Sequence, residues 1–128
     1  MRKVLVVDDD VELGSYVKEY LEAKSLDVHV CSSASFALEY LKTNNPNLCI
    51  LDVMMPIMDG FTLAEKIVAD HEDMPFLFLT GQGSKHERIR GLKLGADDYV
   101  LKPFSLEELY LRIQNVLKRI PVDKTAIE

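Results

Sequence analysis

Four apolar runs in this chain each end on a side chain that can manage charge. "VLVV" (4–7) leads into Asp8, Asp9 and Asp10, "LCIL" (48–51) into Asp52, "FLFL" (76–79) into Thr80, and "YVL" (99–101) into Lys102. Three adjacent carboxylates repel one another by about 4 kcal/mol per pair at 4 Å if the effective dielectric is about 20, so a cation, a helix end or open water must offset them. The residue types suit a hard cation beside a phosphate-like group: Mg²⁺ prefers octahedral oxygen, keeps several waters, and is satisfied by one or two carboxylates, a carbonyl and a phosphate oxygen. With such an ion in place one carboxylate can act as a nucleophile toward a phosphoryl group, while ion and ammonium neutralise the transferring oxygens. No general acid or base is evident, so positioning and electrostatics must carry the transfer. Taken singly, each residue has an ordinary reading as a turn or cap aspartate, a strand-ending threonine or a solvated lysine. Only their convergence would make a site.

Convergence depends on the elements that carry these residues. "KVLVV" (3–7) is continuously apolar and rich in β-branched residues, the pattern of a strand covered on both faces. Similar runs recur at "DVHVC" (27–31), "LCILD" (48–52), "FLFLT" (76–80) and "DYVLK" (98–102), so five strands are expected. Between them Val11, Leu13, Tyr16, Val17, Tyr20 and Leu21, and then Phe36, Ala37, Tyr40 and Leu41, repeat at three and four residues as helices lying on a sheet do. Further helices fit 61–69, 85–94 with Gly95 as a stop, and 106–118, where Ser105 and Glu108 have the spacing of a capping box. Strict alternation with short connections predicts a (βα)5 doubly wound parallel sheet with right-handed crossovers. Ligands bind such sheets at the carboxyl ends of the strands, and there Asp8, Asp9, Asp52, Thr80 and Lys102 would meet. Asp10, followed by the apolar spacing of helix one, reads instead as that helix's N-cap.

Composition narrows the remaining classes. The 128 residues suit one domain, with apolar and charged fractions of 48% and 28% typical of a globular protein. The net charge of −6 argues against direct binding of nucleic acid. No stretch reaches membrane-spanning length and the N-terminal apolar run is too short for a signal peptide, so a cytoplasmic protein is expected. Cys31 and Cys49 lack metal or redox spacing and read as buried reduced thiols. His29, His71 and His86 are scattered and read as ordinary surface or strand residues.

The segments "VVDDD", "ILDVMMPIMDG", "FLFLTGQG" and "GADDYVLKPF" together resemble the response regulator receiver domain, the CheY-like, flavodoxin-like three-layer fold of two-component signalling, over residues 3–119. The resemblance implies that Asp52 is the phosphoacceptor, that Asp9 binds Mg²⁺ directly with Asp8 acting largely through water, and that Met54 lends its backbone carbonyl. It further implies that Thr80 bonds a phosphoryl oxygen, Lys102 pairs with another, Tyr99 turns inward when Thr80 moves, and the Lys102–Pro103 bond is cis. Pro56 and Gly60 read as loop punctuation lifting the chain away from Asp52. Gly81 departs from the alanine that many receivers carry, which predicts a more mobile loop, and Met54 and Gln82 stand where family members tune phosphate lifetime.

A sensor histidine kinase is the implied partner. Arg88, Asp97, Asp98, Glu108, Arg112 and Arg119 resemble the mixed-charge dimer face of receivers that precede a winged-helix DNA-binding domain, although Lys93 stands where that pattern usually has an acid. The expectation is a phosphorylation-dependent homodimer through helix four, strand five and helix five, serving transcription regulation through an output domain. Residues 1–119 form the expected domain and 120–128 a linker or tail. One rival is a magnesium-dependent phosphatase of the haloacid dehalogenase type, but the chain lacks both its D-x-D-x-[TV] stretch and the length for a cap domain. A second rival, a phosphate-independent receiver, usually shows loss of an acid or the lysine, and none is lost here.

Overall fold

The computed structural model describes residues 1–81 and 83–119. Five strands, β1 (Lys3–Val7), β2 (Asp27–Cys31), β3 (Leu48–Asp52), β4 (Phe76–Thr80) and β5 (Asp98–Leu101), alternate with five helices, α1 (Val11–Ala23), α2 (Ala34–Leu41), α3 (Gly60–Asp70), α4 (Lys85–Leu94) and α5 (Leu106–Arg119). The strands form one parallel sheet in the order β2-β1-β3-β4-β5. The winding reverses between β1 and β3, which opens a crevice at their carboxyl ends.

Alternation along each strand divides the core into two layers despite the uninterrupted apolar sequence. Val4 and Val6 of β1 pack with Val17 and Leu21 of α1 and with Leu109, Ile113 and Val116 of α5. Leu5 and Val7 pack on the opposite face with Ala37 and Leu41 of α2 and Phe61, Ala64 and Ile67 of α3. A half-buried strand would show polar residues on one side, whereas β1 is covered on both. The strand-five run stops at Leu101, so Lys102 is the first residue beyond the sheet and not its last member.

Each helix begins on a side-chain oxygen that accepts from the amide three residues on: Asp10 from Leu13 at 3.1 Å, Ser33 from Phe36 at 3.1 Å, Asp59 from Thr62 at 2.8 Å, Ser84 from Glu87 at 3.2 Å and Ser105 from Glu108 at 2.9 Å. Such caps contribute about 1 kcal/mol apiece. The expected capping box at α5 is only half formed. The Glu108 carboxylate accepts from Arg112 Nε at 3.2 Å, one turn on, and the Ser105 amide makes no bond back to it among the described residues. An ion pair at i,i+4 has outcompeted the reciprocal cap. At the far ends, α4 closes on Gly95 with φ +88. α1 closes on Ser25 with φ +68, where the Leu26 amide reaches the Leu21 carbonyl and the Ser25 amide reaches that of Glu22, the Schellman arrangement.

The β3–α3 connection corrects the sequence reading of "MMPIMDG". Gly60 does not lift the chain away from Asp52. It is the first residue of α3, its amide bonds the Val53 carbonyl at 2.9 Å, and a Cβ there would collide with the Asp52 carbonyl. The glycine is required for close approach of two backbones. The left-handed residue of this loop is the exposed Ile57, φ +71, where a β-branched side chain is disfavoured.

Candidate functional site

The parallel register sets the depth of each functional residue. Val7 pairs with Leu51, Asp52 with Leu79, and Thr80 with Leu101, so Asp8, Asp52, Thr80 and Lys102 all emerge at one edge of the sheet. Asp8 continues β1 for one step, its amide donating to the Cys31 carbonyl at 3.1 Å. Its Oδ1 accepts from the Asp10 amide at 2.9 Å. Asp8 and Asp52 are 1% and 2% exposed and Thr80 is fully buried, whereas Asp9 faces solvent. One carboxylate oxygen from each of Asp8, Asp9 and Asp52 lies within 4.8 Å of the others. Lys102 Nζ bridges the inner pair, 3.3 Å from Asp8 Oδ2 and 3.3 Å from Asp52 Oδ1. The Lys102 amide donates to the Thr80 carbonyl at 2.7 Å, and the Lys102–Pro103 peptide is cis.

Three carboxylates against one ammonium leave this cluster electrostatically unbalanced. Burial and then the neighbouring charge of Asp8 push the Asp52 carboxyl up to about 7, with Lys102 pulling the other way. For Lys102, burial acts to lower the pKa, but the charges of Asp8 and Asp52 outweigh it and the ammonium is held above its ordinary value. A buried carboxylate that resists ionisation beside two others is what a divalent cation relieves. The donor set is all oxygen, open on the Asp9 side, and of the chemistry that Mg²⁺ takes. The residues fit the ion.

Other residues singled out by sequence fall around this cluster. Met54 follows Asp52 by two residues with its side chain exposed. A Cβ at Gly81 would meet nothing within 4 Å, so the small residue is not imposed by packing there. Gln82 and residues 120–128 lie outside the described residues. Tyr99 is half buried, its ring packed edge-on against Phe78 at 5.7 Å, and Phe78 in turn meets Phe61 at 4.9 Å. The Arg90 guanidinium of α4 lies over the Phe61 ring, 4.7 Å from its centroid, and pairs with Glu65 of α3 at 3.3 Å.

Of the six residues assigned to a dimer face, the fold brings three into one intramolecular cluster. Arg112 donates to both oxygens of Asp98 at 3.2 Å and to Glu108. Asp97 accepts from the Phe76 amide at the start of β4 at 3.0 Å while remaining exposed. Arg119 Nε donates back to the Asn115 carbonyl at 3.1 Å, and Arg88 lines a small hollow with Leu92 and Ala96. Away from the site, His29 stacks on Tyr40 at 4.1 Å, His71 caps α3, and His86 is exposed. Both cysteines are buried free thiols, and burial pushes Cys49 up to about 12.

Residues 4–114 match the sequence profile of the response regulator receiver domain. This chain belongs to that family. Among curated relatives, the receiver is 41% identical over 118 residues to the transcriptional regulatory protein RprY of Bacteroides fragilis, covering 92% of this chain and 50% of that protein. It is 38% identical over 117 residues to the transcriptional regulatory protein SrrA of Staphylococcus aureus, covering 91% and 48%. The receiver thus spans about half the length of the curated relatives it matches. Among solved structures, the non-phosphorylated HemR receiver domain of Leptospira biflexa superposes with a TM-score of 0.90 at 38% identity, covering 96% of this chain and 99% of that one. The response regulator TrrA of Thermotoga maritima, solved with Mg²⁺ and a beryllium fluoride, gives 0.82 at 28% identity, covering 91% and 99%. The fold is therefore the CheY-like receiver fold of two-component systems, and the relatives are transcriptional regulators. Among the described residues no helix is long and apolar enough to cross a membrane.

Proposed function

We propose that this receiver domain is a phosphorylation-activated switch that takes a phosphoryl group from a sensor histidine kinase onto Asp52. The observation that carries the reading is the buried Asp8–Lys102–Asp52 arrangement with Asp9 open beside it. In the reaction an Asp52 carboxylate oxygen attacks phosphorus, the bond from phosphorus to the kinase imidazole nitrogen breaks with its electron pair passing to that nitrogen, and an acyl phosphate results. Asp8, Asp9, Asp52 and the Met54 carbonyl would hold Mg²⁺, which when bound supplies charge neutralisation for the transferring oxygens. Lys102, already poised between the two buried acids, pairs with one phosphoryl oxygen, and Thr80 donates its hydroxyl to another. The domain catalyses only its own phosphorylation and dephosphorylation.

The response leaves through the segment that begins at Thr80. A phosphoryl group adds about two negative charges and acceptor oxygens; recruitment of Thr80 draws Tyr99 inward and shifts an existing equilibrium of the α4/β5/α5 face. That face, with Arg88, Asp97, Asp98, Glu108, Arg112 and Arg119, then supports a homodimer. The relatives that this chain matches are transcriptional regulatory proteins about twice its length, which supports control of transcription through a DNA-binding output domain outside this chain. Incubation with acetyl phosphate and Mg²⁺ tests the reaction: intact mass should show a single added phosphoryl group, absent in Asp52→Asn. Equal modification of the mutant overturns the assignment. Sedimentation of the beryllofluoride complex tests the dimer, and a strict monomer at high concentration would sink it.

A further inference from the structure

Two polar atoms in the layer between α4 and β5 are shut off from solvent. Among the described residues, neither Glu87 Oε1 nor the Tyr99 hydroxyl makes a hydrogen bond of full geometry, although Thr80 is near enough to act on the hydroxyl. A carboxylate oxygen can only accept, and a phenol carries a proton to donate, so the two are complementary. Buried polar groups left unpaired are uncommon enough to require a reason.

The packing of α4 puts them on the same seam. Gly91 is the residue of α4 pressed against the tyrosine: a Cβ there would lie 3.0 Å from Tyr99 Cε2 and 3.3 Å from Phe78 Cε2. Cε2 neighbours the carbon that bears the hydroxyl, so the polar end of the ring lies under this stretch of helix. Glu87 precedes Gly91 by four residues and occupies the same helix face one turn closer to the N-terminus. The Glu87 backbone amide is held by Ser84 Oγ at 3.2 Å, which fixes its residue in the first turn of α4. Burial and then the charge of Glu87 raise the Tyr99 phenol above its ordinary pKa, while Thr80 and Arg88 act to lower it. Thr80 on β4 and Glu87 on α4 are therefore both near enough to act on the hydroxyl, and Glu87 acts through its charge without a bond to it.

We propose that Glu87 is a positioning residue of the switch, its carboxylate accepting the Tyr99 hydroxyl proton in a hydrogen bond that ties the ring to the first turn of α4. This rests on the reading of Thr80 and Tyr99 as the switch pair. One phenolic proton serves one strong bond at a time: given to Thr80 it ties the ring to the sheet, and given to Glu87 it carries the ring's position into α4. Movement of Tyr99 thereby becomes movement of the helix.

The test is NMR of the full chain carrying tyrosine labelled at the ring carbon bearing the hydroxyl, with Tyr99 assigned through Tyr99→Phe. Wild type, Glu87→Gln and Glu87→Leu are compared with and without Mg²⁺ and beryllofluoride, and phosphorylation of each is followed by intact mass. All three should phosphorylate alike. Glu87→Gln should lower the Tyr99 phenol pKa by about half a unit or more, since a charge is removed, yet keep the beryllofluoride-induced shift because its amide oxygen still accepts. Glu87→Leu should lose at least about half of that shift. An unchanged shift in Glu87→Leu overturns the inference, and so does an unchanged phenol pKa in Glu87→Gln, which decides the matter should the leucine variant fail to fold. Absence of phosphorylation in wild type would instead overturn the phosphoacceptor reading, and absence of any wild-type shift would overturn the switch reading.

Discussion

Lys102 Nζ stands at the same distance, 3.3 Å, from a carboxylate oxygen of Asp8 and from one of Asp52. One ammonium thus serves two buried acids that come from strands adjacent in the sheet, with Asp9 adding a third carboxylate at the rim. The arrangement is pre-organised for an incoming anion and strained without a cation.

That imbalance makes Asp52 a stability liability in the metal-free protein. Its carboxyl is raised from an ordinary 3.8 to about 7, so between those values the folded chain binds more protons than the unfolded one and stability falls as pH rises. Above the folded value the full penalty is present; below about pH 4 it is gone. Urea unfolding without Mg²⁺ should show Asp52→Asn more stable than wild type by on the order of 1–3 kcal/mol at pH 8. The gap should narrow at pH 5 and on adding Mg²⁺ at pH 8. A gap independent of pH would remove the electrostatic explanation.

The three adjacent aspartates should separate by function. Asp10 caps α1 through the Leu13 amide, so Asp10→Ala should cost about 1 kcal/mol in urea unfolding and leave phosphorylation intact. Asp9→Asn should abolish Mg²⁺-dependent phosphorylation by acetyl phosphate while changing stability little. Equal loss of activity in both variants would undo the division.

Two left-handed residues offer stabilising substitutions. Ser25 and Ile57 hold φ +68 and +71, a region that costs an ordinary L-residue roughly 1 kcal/mol or more. Ser25→Gly keeps the Schellman closure of α1, and Ile57→Gly removes an exposed side chain. Each should raise the unfolding free energy by about 1 kcal/mol by chemical denaturation, with the larger gain at Ile57 because β-branching aggravates the clash.

The thiols should be inert in the native protein. Cys49 is fully buried with its pKa pushed up to about 12, and burial raises Cys31 as well. A disulfide reagent at pH 8 should react with neither until urea unfolds the chain, because the thiolate is the nucleophile. Rapid labelling of native protein would contradict the packing of β2 and β3.

Much of this protein was determined by its sequence alone. Strand-length apolar runs ending in Asp8, Asp52 and Thr80, and helical spacing between them, dictate a parallel α/β sheet, because only strands covered on both faces tolerate continuous apolarity. Local chemistry likewise specifies the caps at Asp10, Ser105 and Gly95, since each depends on neighbours within a few residues. What depends on residues distant in the chain was decided only by the tertiary structure. Lys102 meets Asp8 across 94 residues, and the raised pKa of Asp52 exists only because burial and Asp8 act on it together. Gly60 looked like loop punctuation until the backbone of α3 was seen against the Asp52 carbonyl, and the bond by which Asp97, placed in sequence only on a dimer face, holds the Phe76 amide 21 residues away carried no local signal. Glu87, one acid among several on a polar helix, carried no signal in sequence. The helix face it occupies lies over Tyr99 because Gly91 lets α4 settle on the ring, a packing between elements that no local pattern records.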